Sequence, residues 1–137
     1  PISLAHSYVL VEYAGMPDKT LLQIFDSTSE TPFVIEHLNE EFTSVCPVTD
    51  HPDFGTVMLR YQPLKKCVEL KSLKLYYQSF RNEGIYYETV TNQICSDLAR
   101  CLDPNWMQII TRWRGRGGIC SKIISTHGKV PPHWTTA

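Results

Sequence analysis

Residues 32–61, PFVIEHLNEEFTSVCPVTDHPDFGTVMLRY, predict an antiparallel hairpin with an elaborate connection. Residues 32–45 and 56–61 are rich in apolar, aromatic and β-branched side chains, which favour strands. Between them, residues 46–55 hold two prolines and one glycine. That composition predicts a shaped loop rather than a strand or a helix. The candidate inward positions of the first strand are Phe33, Ile35 and Phe42.

Two helical segments are predicted after this hairpin. Residues 70–82 carry apolar side chains three and four positions apart, and residues 88–102 repeat them every four positions along one face. Residues 107–113 and 119–125 predict two more strands, joined by a tight loop at 114–118. The order strand, strand, helix, helix, strand, strand predicts an α+β domain with two helices packed on one face of an antiparallel sheet. The face of the second helix consists of Val90, Ile94, Leu98 and Leu102.

Length and charge limit the classes of protein to consider. The 137 residues are enough for one domain, which we expect to span 1–137 with residues 1–30 as an N-terminal arm. A net charge of -1 argues against bulk electrostatic binding to nucleic acid. No stretch approaches the roughly 20 apolar residues that a membrane-spanning helix needs. We therefore do not expect the protein to associate with a membrane.

The cysteines and histidines indicate neither a disulfide framework nor a metal site. The five cysteines are an odd number and contain no CxxC spacing, and the five histidines show no HxxxH or HExxH spacing. We expect reduced thiols, a cytoplasmic location and no bound metal.

Cys46 and Asp53 stand at the two ends of the predicted loop. A thiolate is a strong nucleophile and a carboxyl group can transfer protons, so the pair suits nucleophilic catalysis. The residues alone leave open that Cys46 is a buried structural thiol.

Other candidate groups suit an anionic or purine-like ligand. Lys71 and Lys74 lie three positions apart on one helical face and could bind phosphates, although by spacing alone a solvated helix face with an intrahelical ion pair explains them better. The stretch that ends at Arg116 and Gly117 could bind an anion through its arginines and glycine-exposed amides, or it could be a β-turn with solubilising charge. Glu88 stands at the start of a predicted helix, where the helix dipole alone favours a carboxylate. It could also accept hydrogen bonds from the N–H groups of a purine-like ring.

Several of these segments together resemble one enzyme family, the NADPH-dependent nitrile reductases that convert 7-cyano-7-deazaguanine (preQ0) to 7-aminomethyl-7-deazaguanine. Residues 42–54, FTSVCPVTDHPDF, resemble the active-site loop of that family. Residues 69–76, ELKSLKLY, match its nicotinamide-cofactor motif at every position. Residues 79–84 and 116–119 resemble the segments that follow in the family. The resemblance covers about residues 31–120 and extends weakly into 8–14.

The resemblance implies a fold and an assembly. Family members have the tunnelling fold, in which subunits join their antiparallel sheets into a barrel with the helices outside. Short one-domain members resemble two stacked pentamers. Active sites then lie between subunits of a homo-oligomer.

The resemblance also implies roles for individual residues. Cys46 corresponds to the nucleophile that adds to the nitrile carbon and forms a thioimidate, and Asp53 to the proton donor. Glu88 corresponds to the residue that anchors the deazapurine, with Tyr87 and Ser72 as further substrate-binding positions. NADPH is the implied cofactor, in a pathway of tRNA modification that yields queuosine. The implied cofactor-binding residues are Glu69, Lys71, Ser72, Lys74, Arg116 and Gly117.

Two positions depart from the usual family pattern. Tyr87 stands where the family usually has His, and His51 stands where it usually has Gln. A tyrosine can donate a hydrogen bond but is normally neutral near pH 7, so it shuttles protons less easily.

Two alternatives remain open beside the reductase. The related amidine-forming enzymes of archaeosine synthesis use the same Cys and Asp on a nitrile in tRNA, and only that alternative calls for a nucleic-acid partner. They lack the cofactor motif that residues 69–76 carry. A non-catalytic ring that sequesters deazaguanines would need Glu88 but neither Cys46 nor Asp53.

Overall fold

The computed structural model describes residues 17–134, and these form eight helices and strands with a short 3-10 turn at either end. The elements are β1 (Ile24–Asp26), β2 (Ile35–Val45), β3 (Pro52–Gln62), β4 (Lys66–Val68), α1 (Leu70–Gln78), α2 (Tyr87–Leu102), β5 (Trp106–Arg116) and β6 (Ile119–Gly128). The 3-10 turns are Lys19–Leu21 and Pro132–Trp134.

The main sheet has four antiparallel strands in the order β2-β3-β5-β6. Two hairpins, β2–β3 and β5–β6, meet where β3 pairs with β5 in the centre of the sheet. The predicted α+β class, the first hairpin and the late pair of strands are therefore confirmed. A separate small sheet pairs β1 with β4, which the sequence analysis missed because three-residue strands leave almost no periodic signal.

Both helices cover the same face of the main sheet, as predicted. The four predicted positions of α2 are each at most 1% exposed. They pack in one apolar core with α1 and with alternate residues of the central strands. That core contains Val57, Leu59 and Tyr61 of β3, and Met107, Ile109 and Trp113 of β5.

A bulge in β2 decides which of its side chains face the helices. The register with β3 shifts by one residue between Asn39 and Phe42. An extra residue reverses the alternation of a strand. Ile35 and Phe42, which strict alternation would place on opposite faces, therefore both pack against the core. The same shift puts Cys46 on the helix side.

Several predicted boundaries are wrong. The loop predicted at 46–55 is shorter, because β3 begins at Pro52 and pairs from there with the end of β2. A proline is tolerated at the first residue of a strand, where no ladder hydrogen bond is required of it. The helix predicted at 70–82 ends at Gln78, since the backbone continues into tighter turns with hydrogen bonds three residues apart. Strands β5 and β6 extend beyond 107–113 and 119–125.

Part of the predicted N-terminal arm is described by the structure. Within residues 17–30, β1 pairs with β4, and the backbone of Gln23 exchanges hydrogen bonds with the Ser72 side chain. Residues 1–16 and 135–137 lie outside the described part of the chain, so the single-domain organisation stays a prediction. Among the described residues, no helix combines the length and hydropathy that crossing a membrane requires.

The turn between β5 and β6 depends on two glycines. Gly117 and Gly118 have φ values of 55° and 80°, and the positive φ at both positions matches the type I′ turn of a two-residue hairpin.

We predict that Gly118→Ala lowers the free energy of unfolding by about 1–2 kcal/mol, because an L side chain is strained in this conformation. Urea unfolding measures the change. Gly84→Ala is the control, since φ is not positive there and the nearest contact of an added Cβ is 3.7 Å away. An equal loss in both variants would contradict the assigned turn.

Candidate functional site

Cys46 lies directly after β2 in a closed turn. Its backbone N–H donates to the carbonyl of His51 over 2.8 Å, and its carbonyl accepts from the N–H of Asp50 over 2.9 Å. Asp50 has a φ of 61°, a left-handed conformation that Asp tolerates better than most residues. The turn therefore holds the thiol at the end of the sheet.

The chain before α2 runs beside this turn. The N–H of Val45 donates to the carbonyl of Glu83 over 2.8 Å, and the N–H of Ile85 donates to the carbonyl of Val45 over 3.1 Å. These bonds form a parallel bridge between Val45 and Gly84. The bridge fixes the entry of α2, and thus Tyr87, next to the Cys46 turn.

Asp53 is the second residue of β3 and is only 5% exposed. It accepts a hydrogen bond from the Tyr87 hydroxyl over 3.2 Å and forms an ion pair with Arg116. The Tyr87 ring stacks on Trp113, with a 4.1 Å separation between ring centroids and an interplanar angle of 10°. The stack and the hydrogen bond together restrict Tyr87 to one orientation.

A second bulge brings Arg116 to Asp53. The register between β5 and β6 shifts between Trp113 and Arg116. Strict alternation would place Arg116 on the same side as Arg112 and Arg114. The extra residue reverses that alternation just before the glycine turn, so the guanidinium reaches the helix side, where Asp53 lies.

Hydrogen bonding makes Cys46 unusually acidic. The Thr49 side chain, followed by the backbone N–H groups of Thr49 and Val48, lowers the pKa of the Cys46 thiol to about 7. Burial opposes this change, and a hydrogen bond from Arg116 adds to it. The pKa of Arg116 is raised, chiefly by the hydrogen bond to Cys46. A thiolate is the nucleophilic form of cysteine, so the site holds Cys46 partly ionised near neutral pH.

Tyr87 is held in its neutral form. Its pKa is raised, first by burial and then by the charge of Asp53 and the hydrogen bond to it. The side chain is therefore a hydrogen-bond donor to Asp53 rather than a second anion.

The residues of the predicted cofactor motif lie on α1. Glu69 caps α1, because its side chain accepts from the backbone N–H groups of Lys71 and Ser72. The Ser72 hydroxyl is buried and bonds to the backbone of Gln23 and Glu69. Lys71 lines a cleft of about 250 Å³ with Gln23 and Ser72. Lys74 lines a neighbouring cleft of about 130 Å³ with His37 and Tyr77.

The structure brings together some predicted site residues and not others. Cys46, Asp53, Tyr87 and Arg116 form one connected cluster, which we call the cysteine cluster. Arg116 was predicted with the cofactor-binding residues, yet its contacts are with Cys46 and Asp53. Gly117 follows it in the turn. Glu88 lies beside Tyr87 in the first turn of α2 and is exposed.

Two polar groups of the site were missed from the sequence. Thr49 bonds to the Cys46 thiol, and a threonine next to a proline-containing turn is a signal that could have found it. Ser44 pairs across from Asp53 in the hairpin, and its buried hydroxyl has no hydrogen-bond partner among residues 17–134. Only the register of the strands reveals that position. The same part of the chain contains no group of three or more potential metal ligands.

The fold and the cysteine cluster define an α+β domain with an activated cysteine at the end of its sheet. A family model described as QueF-like protein matches residues 52–132. An NADPH-dependent 7-cyano-7-deazaguanine reductase of Chlorobium phaeobacteroides is 52% identical over 109 residues, which cover 79% of this chain and 94% of that protein. The enzyme of the same name from Chlorobaculum tepidum is 46% identical over 113 residues, covering 82% and 97%.

One solved structure supports the fold independently. The apo crystal structure of the archaeosine synthase QueF-Like superposes with a TM-score of 0.65, covering 76% of this chain and all of that one. At 18% identity, this likeness concerns the fold alone. The chain belongs to the QueF-like family, and the resemblance inferred from residues 42–54 and 69–76 is confirmed.

The acidity of Cys46 predicts its reactivity. We expect the alkylation rate of Cys46 by iodoacetamide to rise through a midpoint near pH 7, because the pKa of the thiol is about 7 and only the thiolate reacts. Thr49→Val should move the midpoint upward by removing the hydroxyl that lowers the pKa. Peptide mass spectrometry over a pH series measures the rate, and Thr126→Val, an exposed threonine of β6, is the control. A wild-type midpoint near the ordinary thiol value of about 8.5 would contradict the geometry.

Proposed function

We propose that the protein is an NADPH-dependent nitrile oxidoreductase that reduces 7-cyano-7-deazaguanine to 7-aminomethyl-7-deazaguanine, in the biosynthesis of queuosine. The relatives that match about four fifths of the chain carry the name of this reaction. The observation that carries the proposal is the cysteine cluster, in which an acidic thiol shares Arg116 with a buried carboxylate.

The cluster supports covalent catalysis at Cys46. Cys46 transfers its thiol proton to Asp53, the thiolate adds to the nitrile carbon, and one C–N π bond becomes a lone pair on nitrogen. Asp53 then delivers the proton to that nitrogen, which completes a thioimidate. Arg116 stabilises the thiolate beforehand and holds Asp53 in place. The whole reaction consumes two hydrides and two protons, the latter taken up from solvent, and ends in an amine with Cys46 free again.

The substrate ring is proposed to bind between the Cys46 turn and the start of α2. Glu88 is exposed there, and a carboxylate can accept paired N–H donors from the deazapurine. Tyr87 takes part through its ring, which is already stacked on Trp113. The Ser44 hydroxyl, which is buried and has no hydrogen-bond partner among residues 17–134, is a further donor on the Asp53 side.

The residues of α1 fit a phosphate-bearing cofactor. NADPH, when bound, supplies hydride. Lys71 and Lys74 are exposed, and neither forms an ion pair with a carboxylate within residues 17–134. Glu69 and Ser72 form the start of α1 beside these lysines. The Ser72 hydroxyl already bonds to the backbone of Gln23 and Glu69, so it can contact substrate or cofactor only if it shares those hydrogen bonds with the ligand. Gly117 would let a ligand approach the backbone closely, since no atom lies within 4 Å of where its Cβ would be.

A ring of subunits, such as two stacked pentamers, is the assembly that we propose. Strands β2 and β6 are the open edges of the main sheet, and exposed edges are the places where sheets of separate chains pair. Large apolar side chains also surround the cysteine cluster, with Val48 75% and Ile119 71% exposed. A neighbouring subunit that covers them would complete the site and would join the sheets into a barrel.

The proposed partner is the free nitrile base rather than a nucleic acid. The amidine-forming alternative on tRNA is not favoured, because the relatives are named as reductases and residues 69–76 keep the complete cofactor motif. A cytoplasmic location is proposed as well, and it agrees with five free thiols.

The first test measures turnover and adduct formation together. With 7-cyano-7-deazaguanine, we expect oxidation of about two NADPH per nitrile, since nitrile to amine takes two hydrides. The measurement is NADPH absorbance, with mass spectrometry of the intact protein alongside. Cys46→Ala should abolish both turnover and adduct, while Cys120→Ala, which removes an exposed thiol outside the cysteine cluster, should leave both unchanged. An adduct in Cys46→Ala would refute the nucleophile, and an adduct without NADPH oxidation would refute the reductase.

A second test concerns the lysines of α1. Lys71→Ala combined with Lys74→Ala should raise the KM for NADPH about tenfold or more, because two charge-assisted contacts with phosphate are lost. The KM for the nitrile should change much less. Steady-state kinetics with each reactant varied separately measures the two constants. The control is Lys65→Ala with Lys129→Ala, two exposed lysines outside α1. Equal effects on both KM values would show that Lys71 and Lys74 form only a solvated face.

A further inference from the structure

A large cleft lies apart from the cleft that Lys71 lines. It has a volume of about 770 Å³ and lies between the β2 bulge, the start of β3, the end of β5 and the turn after α1. We call it the arginine groove, after Arg81, Arg112 and Arg114, which line it. Its volume lies within the range of pockets that bind small molecules.

The three arginines of the groove lack acidic partners. Among residues 17–134, the ion pairs are Arg60 with Glu36 and Arg116 with Asp53, so none of the groove arginines forms one. Arg112 and Arg114 are two positions apart on β5 and therefore project from the same face. All three are exposed. Neighbouring guanidinium groups that form no ion pair repel each other, and an anion that bridges them removes that repulsion.

The rest of the lining suits the other parts of a nucleotide. The Arg114 guanidinium lies 5.3 Å from the centroid of the Phe54 ring, and Phe54 is 47% exposed. An exposed ring of this kind can stack on a base. Glu40 and Glu41 line the side formed by the β2 bulge and can accept N–H groups of a base. Inorganic phosphate alone would use neither feature.

The groove also connects with the surface of α1. A small cleft of about 60 Å³ is lined by Lys74 and Arg81 together with Glu41 and Phe42. Arg81, Glu41 and Phe42 also line the arginine groove. Basic side chains therefore continue from α1 to the end of β5.

We propose that the arginine groove is a binding site for a phosphorylated nucleotide, with its phosphates on Arg81, Arg112 and Arg114 and its base against Phe54. Two sources have this chemistry, namely the adenosine end of NADPH or a second, separate nucleotide. The inference does not depend on the reductase reaction, because binding can be measured without turnover.

The test uses adenosine 2′,5′-bisphosphate as the probe and isothermal titration calorimetry at about 0.15 M salt, where exposed charges are realistically screened. Arg112→Gln with Arg114→Gln should weaken binding about tenfold or more, and Arg81→Gln should weaken it independently. Arg100→Gln, an exposed arginine of α2 outside the groove, is the matched control and should bind as the wild type does. Thermal melting of each variant verifies that the fold is kept.

Competition separates the two sources. If saturating NADPH displaces the probe, the groove holds the adenosine end of the cofactor. If the probe still binds with the same stoichiometry, the groove is a second nucleotide site, and either result supports the proposal. Wild-type protein that does not bind the probe, or binding that stays within about twofold in all groove variants, would overturn it. Failure here would leave the NADPH turnover test untouched.

Discussion

The antiparallel pairing of β3 with β5 is the constraint on which the rest of the structure depends. It joins two hairpins that are separated in the chain by both helices, and it places Asp53 near Arg116. Because both strands lie in the centre of the main sheet, their helix-facing side chains also form the floor of the core. A slip of one residue in this register would move Asp53 to the opposite face and would separate the carboxylate from the thiol and the guanidinium.

Two bulges then convert a regular sheet into a site. The bulge in β2 sends Phe42, Ser44 and Cys46 to the helix side, and the bulge in β5 sends Arg116 to the same side. Without the bulges, regular alternation would have placed these groups on the face of the sheet opposite the helices. Bulges are common beside active sites because they re-aim a side chain at the end of a strand. In this chain they gather the Cys46 thiol, the Arg116 guanidinium and the buried Asp53 carboxylate.

The electrostatics of the cysteine cluster follow from this placement. Arg116 contacts both the thiol and Asp53, so one cation stabilises two acidic groups at once. The larger part of the lowered pKa of Cys46 comes from Thr49 and the turn amides, and Arg116 adds to it. Tyr87 stays neutral and donates to Asp53, while its stacking on Trp113 connects the cluster to the core. Tyr87 therefore acts in this structure as a neutral hydrogen-bond donor that holds the Asp53 carboxylate.

The sequence by itself determined the α+β class, the buried face of α2 and the two motifs that identify the family. Those properties are local, because they depend on periodicity and on neighbouring residues. It did not reveal that Pro52 begins a strand, that Arg116 contacts Asp53 and Cys46, or that Thr49 and Ser44 lie beside the cysteine cluster. Tertiary structure decided these, since they depend on strand register and on bulges. Register follows from pairing between segments far apart in the chain, and no spacing within one segment encodes it.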